Sequence, residues 1–181
     1  MQMVASGTGQ YAAYNWELSS DQGSGGSGNS AYTGSPTFTV RHTQSSAGLA
    51  TYYMFCGLGA QTLATATMPF TFRHIGFKIA TAGSNSALYA TQADGTTENA
   101  SSALTSSLAA GDVLDLCFQC QGTSSVNYYW KKNGGAWSSA TNLTSNFPTY
   151  STDLDSCASF QVSGAGSSQP SDAFLAASYA R

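Results

Sequence analysis

From about Thr37 onward the chain falls into short runs rich in Val, Ile, Thr, Tyr and Phe, each closed by Gly, Asn, Asp, Ser or Pro. Punctuation of that kind fits strands and leaves no room for long helices. Candidate strands centre on Phe38–Thr43, Thr51–Cys56, Phe70–Ile79, Ala87–Gln92, Val113–Gln121, Val126–Lys132, Ala136–Leu143, Ala158–Val162 and Ala173–Tyr179. There is no internal repeat, no heptad pattern and no convincing amphipathic helix. The fold class expected is all-β, a single antiparallel β-sandwich or jelly roll of about nine strands. The Ala- and Ser-rich stretch Asn99–Ala110 is the one place where a short helical turn would fit.

Alternation says which way several strands face, because successive side chains of a strand point to opposite sides. In Val113–Gln121, Leu114, Leu116, Phe118 and Cys120 share one face, which belongs in the core, and Asp115, Cys117 and Gln119 share the other. In Phe70–Ile79 the apolar residues first hold even positions, Phe70 and Phe72, then odd ones, Ile75, Phe77 and Ile79. A regular strand with one buried face cannot do this, so a bulge or break is expected near Arg73–Gly76. Asp94-Gly95 and Asn133-Gly134 are residue pairs that tolerate the positive φ of a tight hairpin, and the second should fold Val126–Lys132 onto Ala136–Leu143.

The first 36 residues read differently from 37–181, which form the sandwich domain. Ser19–Pro36, with Gly23-Ser24-Gly25-Gly26-Ser27-Gly28, has no apolar periodicity and reads as a flexible linker. Ahead of it Tyr11, Tyr14, Trp16 and Leu18 carry too much apolar surface to leave in water on a segment too short to fold alone. They are the expected anchor of a flexible N-terminal arm on a neighbouring subunit or shell; the alternative is that the arm returns as an extra strand on its own sandwich.

Charge narrows the partners. Charged residues make up 8% of the 181 residues, and the net charge is −3 with six Lys and Arg in all. So few cations cannot neutralise a run of phosphates, and nucleic acid is not an expected partner. No stretch approaches the roughly 20 apolar residues of a membrane-spanning helix, and Met1–Gly7 lacks the regions of a signal peptide. Synthesis and folding in a cytoplasm, with no membrane partner, are expected. Cys56, Cys117, Cys120 and Cys157 would allow disulfides in an oxidising compartment and otherwise read as small core thiols. Cys117 and Cys120 form a C-x-x-C within an alternating strand, which points them to opposite faces and argues against a metal knuckle or a mutual bridge. The sequons at Asn99 and Asn142 matter only in a secreted chain.

Catalytic constellations are thin. His42 and His74, each preceded by an arginine, have no nucleophile signature beside them, so a structural or inter-subunit role is expected. Asp112 with Asp115, or Asp153 with Asp155, could supply paired carboxylates for glycoside hydrolysis, but solvated loops or a partial calcium site fit them better. Gly57-Leu58-Gly59 lacks the third glycine and following helix of a dinucleotide loop, so it reads as a turn. No catalytic residue, metal or cofactor is expected.

Tyr128, Tyr129 and Trp130, with Trp137 across the hairpin, are the densest aromatic group. Alternation sends Tyr128 and Trp130 one way and Tyr129 the other. Such a group packs across strands, or it presents an exposed platform to sugar rings or to a neighbouring subunit. Uncharged, aromatic-bearing surface is what subunit interfaces tolerate, so a homo-oligomer, most simply a trimer, is expected.

The block Gly111–Leu143, with Gly111-Asp112 opening a strand and Tyr128-Tyr129-Trp130-Lys131-Lys132-Asn133-Gly134-Gly135 closing a hairpin, resembles segments of phage virion proteins. It is similar to β-sandwich modules of tail fibres, head fibres and capsid decoration proteins, and more remotely to concanavalin-type lectin sandwiches. The resemblance implies a non-enzymatic virion protein, assembled in the host cytoplasm, that decorates and cements the outside of a phage capsid with the major capsid protein or another virion protein as partner. The alternative is a receptor- or carbohydrate-binding module of a tail or fibre. The four cysteines and the Gly-Ser stretch have no counterpart in that pattern.

Overall fold

The computed structural model describes residues 2–6, 10–16, 37–43, 51–59, 72–82, 85–109, 111–122, 124–148, 155–163 and 168–178, with side chains over 55–57, 72–80, 87–109, 111–122 and 124–148. These residues form thirteen strands: β1 (Gln2–Ser6), β2 (Gln10–Trp16), β3 (Thr37–Thr43), β4 (Thr51–Gly59), β5 (His74–Ala82), β6 (Asn85–Ala93), β7 (Glu98–Ala100), β8 (Thr105–Ser106), β9 (Val113–Gln121), β10 (Ser125–Lys132), β11 (Thr141–Leu143), β12 (Asp155–Ser163) and β13 (Ser168–Ser178). No helix occurs among the described residues.

The strands build two antiparallel sheets. One has six strands in the order β1-β13-β3-β9-β10-β11; the other has seven, β2-β12-β4-β5-β6-β7, with β8 also on β6. Each sheet turns one row of apolar side chains inward, as strand alternation requires. Leu114, Leu116, Phe118 and Cys120 of β9 are fully buried, and so are Val126 and Tyr128 of β10 and Ile75, Phe77 and Ile79 of β5. The sheets meet at Phe77, whose ring lies 5.3 Å edge-on from Tyr128 and 6.4 Å from Phe118. Aromatic pairs at such separations contribute beyond their buried area.

The expected irregularity in Phe70–Ile79 is a bend at Phe72 and Arg73, just before β5. From His74 onward β5 pairs residue for residue with both β4 and β6, so there is no bulge within His74–Gly76. The parity of the apolar residues changes because both faces of this sheet are covered here. Phe72 packs on the face opposite Phe77, with its ring 4.7 Å from His74 and 5.7 Å from Phe55. Phe70 lies outside the described residues.

Over its described residues, 99–109, the Asn99–Ala110 stretch holds no helical turn. It is a broken edge strand: β7 pairs with Thr91–Ala93 and β8 with Ala87–Leu88, while Ser101 N–H donates to Ala90 O and Leu104 N–H to Leu88 O between them. Unpaired carbonyls along β6 draw this segment into a ladder that its small, polar side chains do not announce.

Two strands precede residue 37, and both pair with strands that follow it. β1 lies at the edge of the six-stranded sheet against β13, and β2 at the edge of the seven-stranded sheet against β12. Tyr11, Tyr14 and Trp16 therefore stand at register positions opposite Gln161, Ala158 and Ser156 of the same chain. Open sheet edges readily accept strands in this way. Leu18 and residues 17–36 lie outside the described residues, as do the side chains of β2.

At the β4–β5 ladder Gly57 stands opposite Gly76. A Cβ on Gly57 would come within 2.2 Å of Ile75 O, and one on Gly76 within 2.4 Å of Cys56 O. Close approach of the two strands thus excludes any side chain at this pair.

Candidate functional site

The aromatic hairpin is built by the turn that its sequence specifies. Asn133 and Gly134 have φ of 53° and 72°, and Gly135 N–H donates to Lys132 O at 2.9 Å, a tight turn of the I′ kind. The returning strand does not stay in step. Lys132 and Gly135 flank the turn, yet β10 resumes pairing with β11 only at Tyr128 and Thr141. The return therefore uses two more residues than β10 does, and 135–140 runs irregularly, tied by Ser138 N–H to Trp130 O and by Trp130 N–H to Ser138 Oγ. That slack carries Trp137 out to the surface, where 46% of it is exposed. It is the one exposed large apolar side chain among the described residues.

Lys131 holds Trp137 in place. Its ammonium lies 5.0 Å from the centre of the indole ring and 3.4 Å from Asp115 Oδ2 of β9. Asp115 is its cross-strand partner, and Arg41 of β3 stands at the register position on the other side of Asp115. One row across three strands thus reads Arg41, Asp115, Lys131, and ends at Trp137. Tyr129, half-buried, is on the same face as Lys131, opposite the half-buried Cys117.

The other two aromatic candidates are not part of an exposed platform. Tyr128 is fully buried, with its hydroxyl 3.0 Å from Thr91 O and 3.2 Å from Gln92 Oε1. Burial holds this phenol well above its ordinary pKa, so it stays a donor. Trp130 shares the inward face with Tyr128 and is half-buried. The four residues expected together therefore separate: Trp137 and Tyr129 on the outer surface, Tyr128 and Trp130 on the inner side. Alternation predicts the split but not which half is core.

A second polar cluster lies on the outward face of the seven-stranded sheet. Lys78 Nζ donates to Glu98 Oε1 at 2.6 Å, and the two side chains are only 8% and 5% exposed. Thr91 Oγ1 donates to the same Glu98 oxygen at 2.6 Å, and His74 Nε2 lies 2.9 Å from Thr91 Oγ1. His74 Nδ1 is 2.7 Å from Phe72 O. Burial pushes the imidazole down to about 4, against the raising effects of the Phe72 carbonyl and Glu98. The histidine is bonded to a neighbouring strand of the same chain, as one of its expected structural roles has it. Lys78 and Glu98 escaped the sequence reading; the signal was a lone charge inside the apolar run Ile75–Ile79.

The remaining candidates are dispersed. Asp112 and Asp115 do not form a carboxylate pair: Asp112 serves Ala109 N–H, Lys132 and Asn133, while Asp115 serves Lys131. Cys56 and Cys120 are buried thiols whose pKa burial pushes up to about 12, which makes them inert. Cys117 faces away from Cys120, and the side chains of His42, Asp155 and Cys157 lie outside the described set. No group of three or more His, Cys, Asp or Glu that could hold a metal occurs among the described residues.

No protein-family model matches the chain, and no curated protein sequence matches it either. Solved structures do. The legume lectin-like domain from Entamoeba histolytica superposes with a TM-score of 0.57 at 11% identity, over 99% of this chain and 84% of that one. The luminal domain of VIP36 in its Ca2+/Man3GlcNAc-bound form gives 0.58 at 8% identity, over 99% and 78%. The CBM2 module of the evolved Dit protein of Lactobacillus casei BL23 phage J-1 gives 0.51 at 10% identity, over 98% and 78%. Enzymes share the architecture too, among them an alginate lyase from Pseudomonas aeruginosa at a TM-score of 0.52. At these identities the likeness establishes the fold, a lectin-like β-sandwich. The same fold carries both binding and catalysis, so it does not decide between them.

Proposed function

We propose that the chain is a carbohydrate-binding β-sandwich module of the kind carried on phage tails or fibres. The observation that carries this reading is Trp137, a half-exposed indole with the Lys131 ammonium 5.0 Å from its ring centre. An exposed aromatic ring offers an apolar face to the C–H side of a sugar, and the polar groups around it can bond the hydroxyls. Lectin-like sandwiches among the similar structures, and a phage module among them, support the same reading. They favour it over capsid decoration, for which no feature of the described surface speaks.

The test is a glycan array probed with the chain and with Trp137→Ala. Binding to a defined set of glycans is expected, weakened at least about thirtyfold by the substitution, which corresponds to about 2 kcal/mol for a central aromatic contact. The melting temperature should hardly move, because an exposed side chain contributes little to folding. Failure to bind any glycan, or equal binding by Trp137→Ala, would overturn the proposal.

A further inference from the structure

The outer face of β10 carries three half-buried side chains in line: Lys131 beside Trp137, then Tyr129, then Asn127. Alternate residues of a strand lie about 6.7 Å apart, so Asn127 stands about 13 Å from Lys131 along the strand. In the ladder Asn127 faces Gln119 of β9 and Asn142 of β11, which makes the far end a row of three uncharged amides. Asn142 Nδ2 donates to Asn127 Oδ1 at 2.7 Å. That bond leaves Asn127 Nδ2 as a donor and Asn142 Oδ1 as an acceptor, neither with a protein partner among the described residues. The Gln119 amide and the Tyr129 hydroxyl likewise have no protein partner among them. At the Trp137 end, by contrast, the charge of Lys131 is matched by Asp115.

We infer that this surface takes a run of sugars rather than a single terminal one: an oligosaccharide laid along β10, with one ring on the Trp137 indole, the middle of the run over Tyr129, and a far unit bonded to the amides of Asn127, Asn142 and Gln119. This deepens the carbohydrate reading above and rests on it. One sugar ring on Trp137 is too small to reach amides about 13 Å along the strand, so those groups serve only a ligand that extends that way. Amides suit the task because they offer donors and acceptors without charge, and a sugar hydroxyl both donates and accepts. Tyr129 lies midway between the two ends, where its hydroxyl and ring edge meet the linking units.

Graded oligosaccharides test the idea by calorimetric titration: the disaccharide to the pentasaccharide of β-1,4-linked glucose, of β-1,4-linked mannose and of β-1,3-linked glucose. In at least one series the affinity is expected to rise by about tenfold or more from the shortest member to the longest, the gain that a few added hydrogen bonds supply. Asn127→Ala and Gln119→Ala should each remove much of that gain and leave the disaccharide's affinity as it was, whereas Trp137→Ala should weaken every member. Equal binding at every length, or a gain with length that survives both amide substitutions in variants with the parental melting temperature, overturns the extended site while the carbohydrate reading stands. Absence of binding to every member counts against the carbohydrate reading itself and takes this inference with it.

Discussion

Asp112 ties the turn before β9 to the hairpin after β10. Its Oδ2 accepts from Ala109 N–H at 2.8 Å and from Lys132 Nζ at 3.2 Å, and its Oδ1 accepts from Asn133 Nδ2 at 2.8 Å. Burial alone would raise the pKa of this carboxyl, but the three donors outweigh it and hold the group below the usual carboxylate range. A depressed folded pKa means that the stabilisation is complete above the unfolded pKa of about 4 and is lost as pH falls through the folded value. Asp112→Ala should therefore cost about 1–3 kcal/mol in urea unfolding at pH 7, and the gap from the parent chain should close below about pH 4. A gap that does not change with pH would show that the ionised carboxylate is not the source. The sequence marks Asp112 as half of a carboxylate pair and as the opening of a strand, but not as a tie between two turns. Its partners are a turn amide and an asparagine 21 residues on, a juxtaposition that only folding creates.

Among the elements, the strands with strong alternation were legible, and the failures have local causes. β9 and β10 came through with nearly the expected bounds because their inward residues are large and apolar and the Asn133-Gly134 turn fixes where they reverse. β7 and β8 were missed because their Ser-, Thr- and Ala-rich residues are recruited by the backbone of β6 rather than by burial of their side chains. The Asp94-Gly95 turn was placed correctly, but it spans four residues between Ala93 and Glu98, with Asp94 Oδ1 accepting from Thr96 and Thr97 N–H. Gly57, expected in a turn, stands instead within the β4–β5 ladder opposite Gly76, because no residue pattern reveals how closely two strands will approach. Gly76→Ala should force the β4–β5 backbones apart to relieve a 2.4 Å contact with Cys56 O, at a cost of about 1–3 kcal/mol. Alanine is the better strand residue by about 0.5–1 kcal/mol, so a loss of stability on thermal unfolding of Gly76→Ala is steric in origin, and a gain would rule out the close approach.

Across the whole molecule, what joins the two sheets is partly apolar and partly a buried hydrogen-bond chain. Tyr128 reaches from β10 of one sheet to Thr91 O and Gln92 Oε1 on β6 of the other, while Gln92 Nε2 donates to Ser145 O at 2.7 Å and Asn99 Nδ2 donates to the same carbonyl at 3.0 Å. The chain thereby pins the segment after β11 onto the seven-stranded sheet. Periodicity could assign Tyr128 to the core, but not reveal that its hydroxyl is matched to a glutamine 36 residues away. Buried polar groups of this kind cost more when half-satisfied than when absent, so the members should not contribute independently. Tyr128→Phe keeps the ring against Phe77 and removes only the donor, and should lower stability by about 1–2 kcal/mol. Gln92→Leu should cost at least as much, because it strips Ser145 O of one of its two donors. The double variant should be less damaging than the two single losses added together, by about 0.5 kcal/mol or more, as expected of residues in one network. Strict additivity in chemical unfolding would mean that Tyr128 and Gln92 act separately and that the sheets are held together by apolar packing alone.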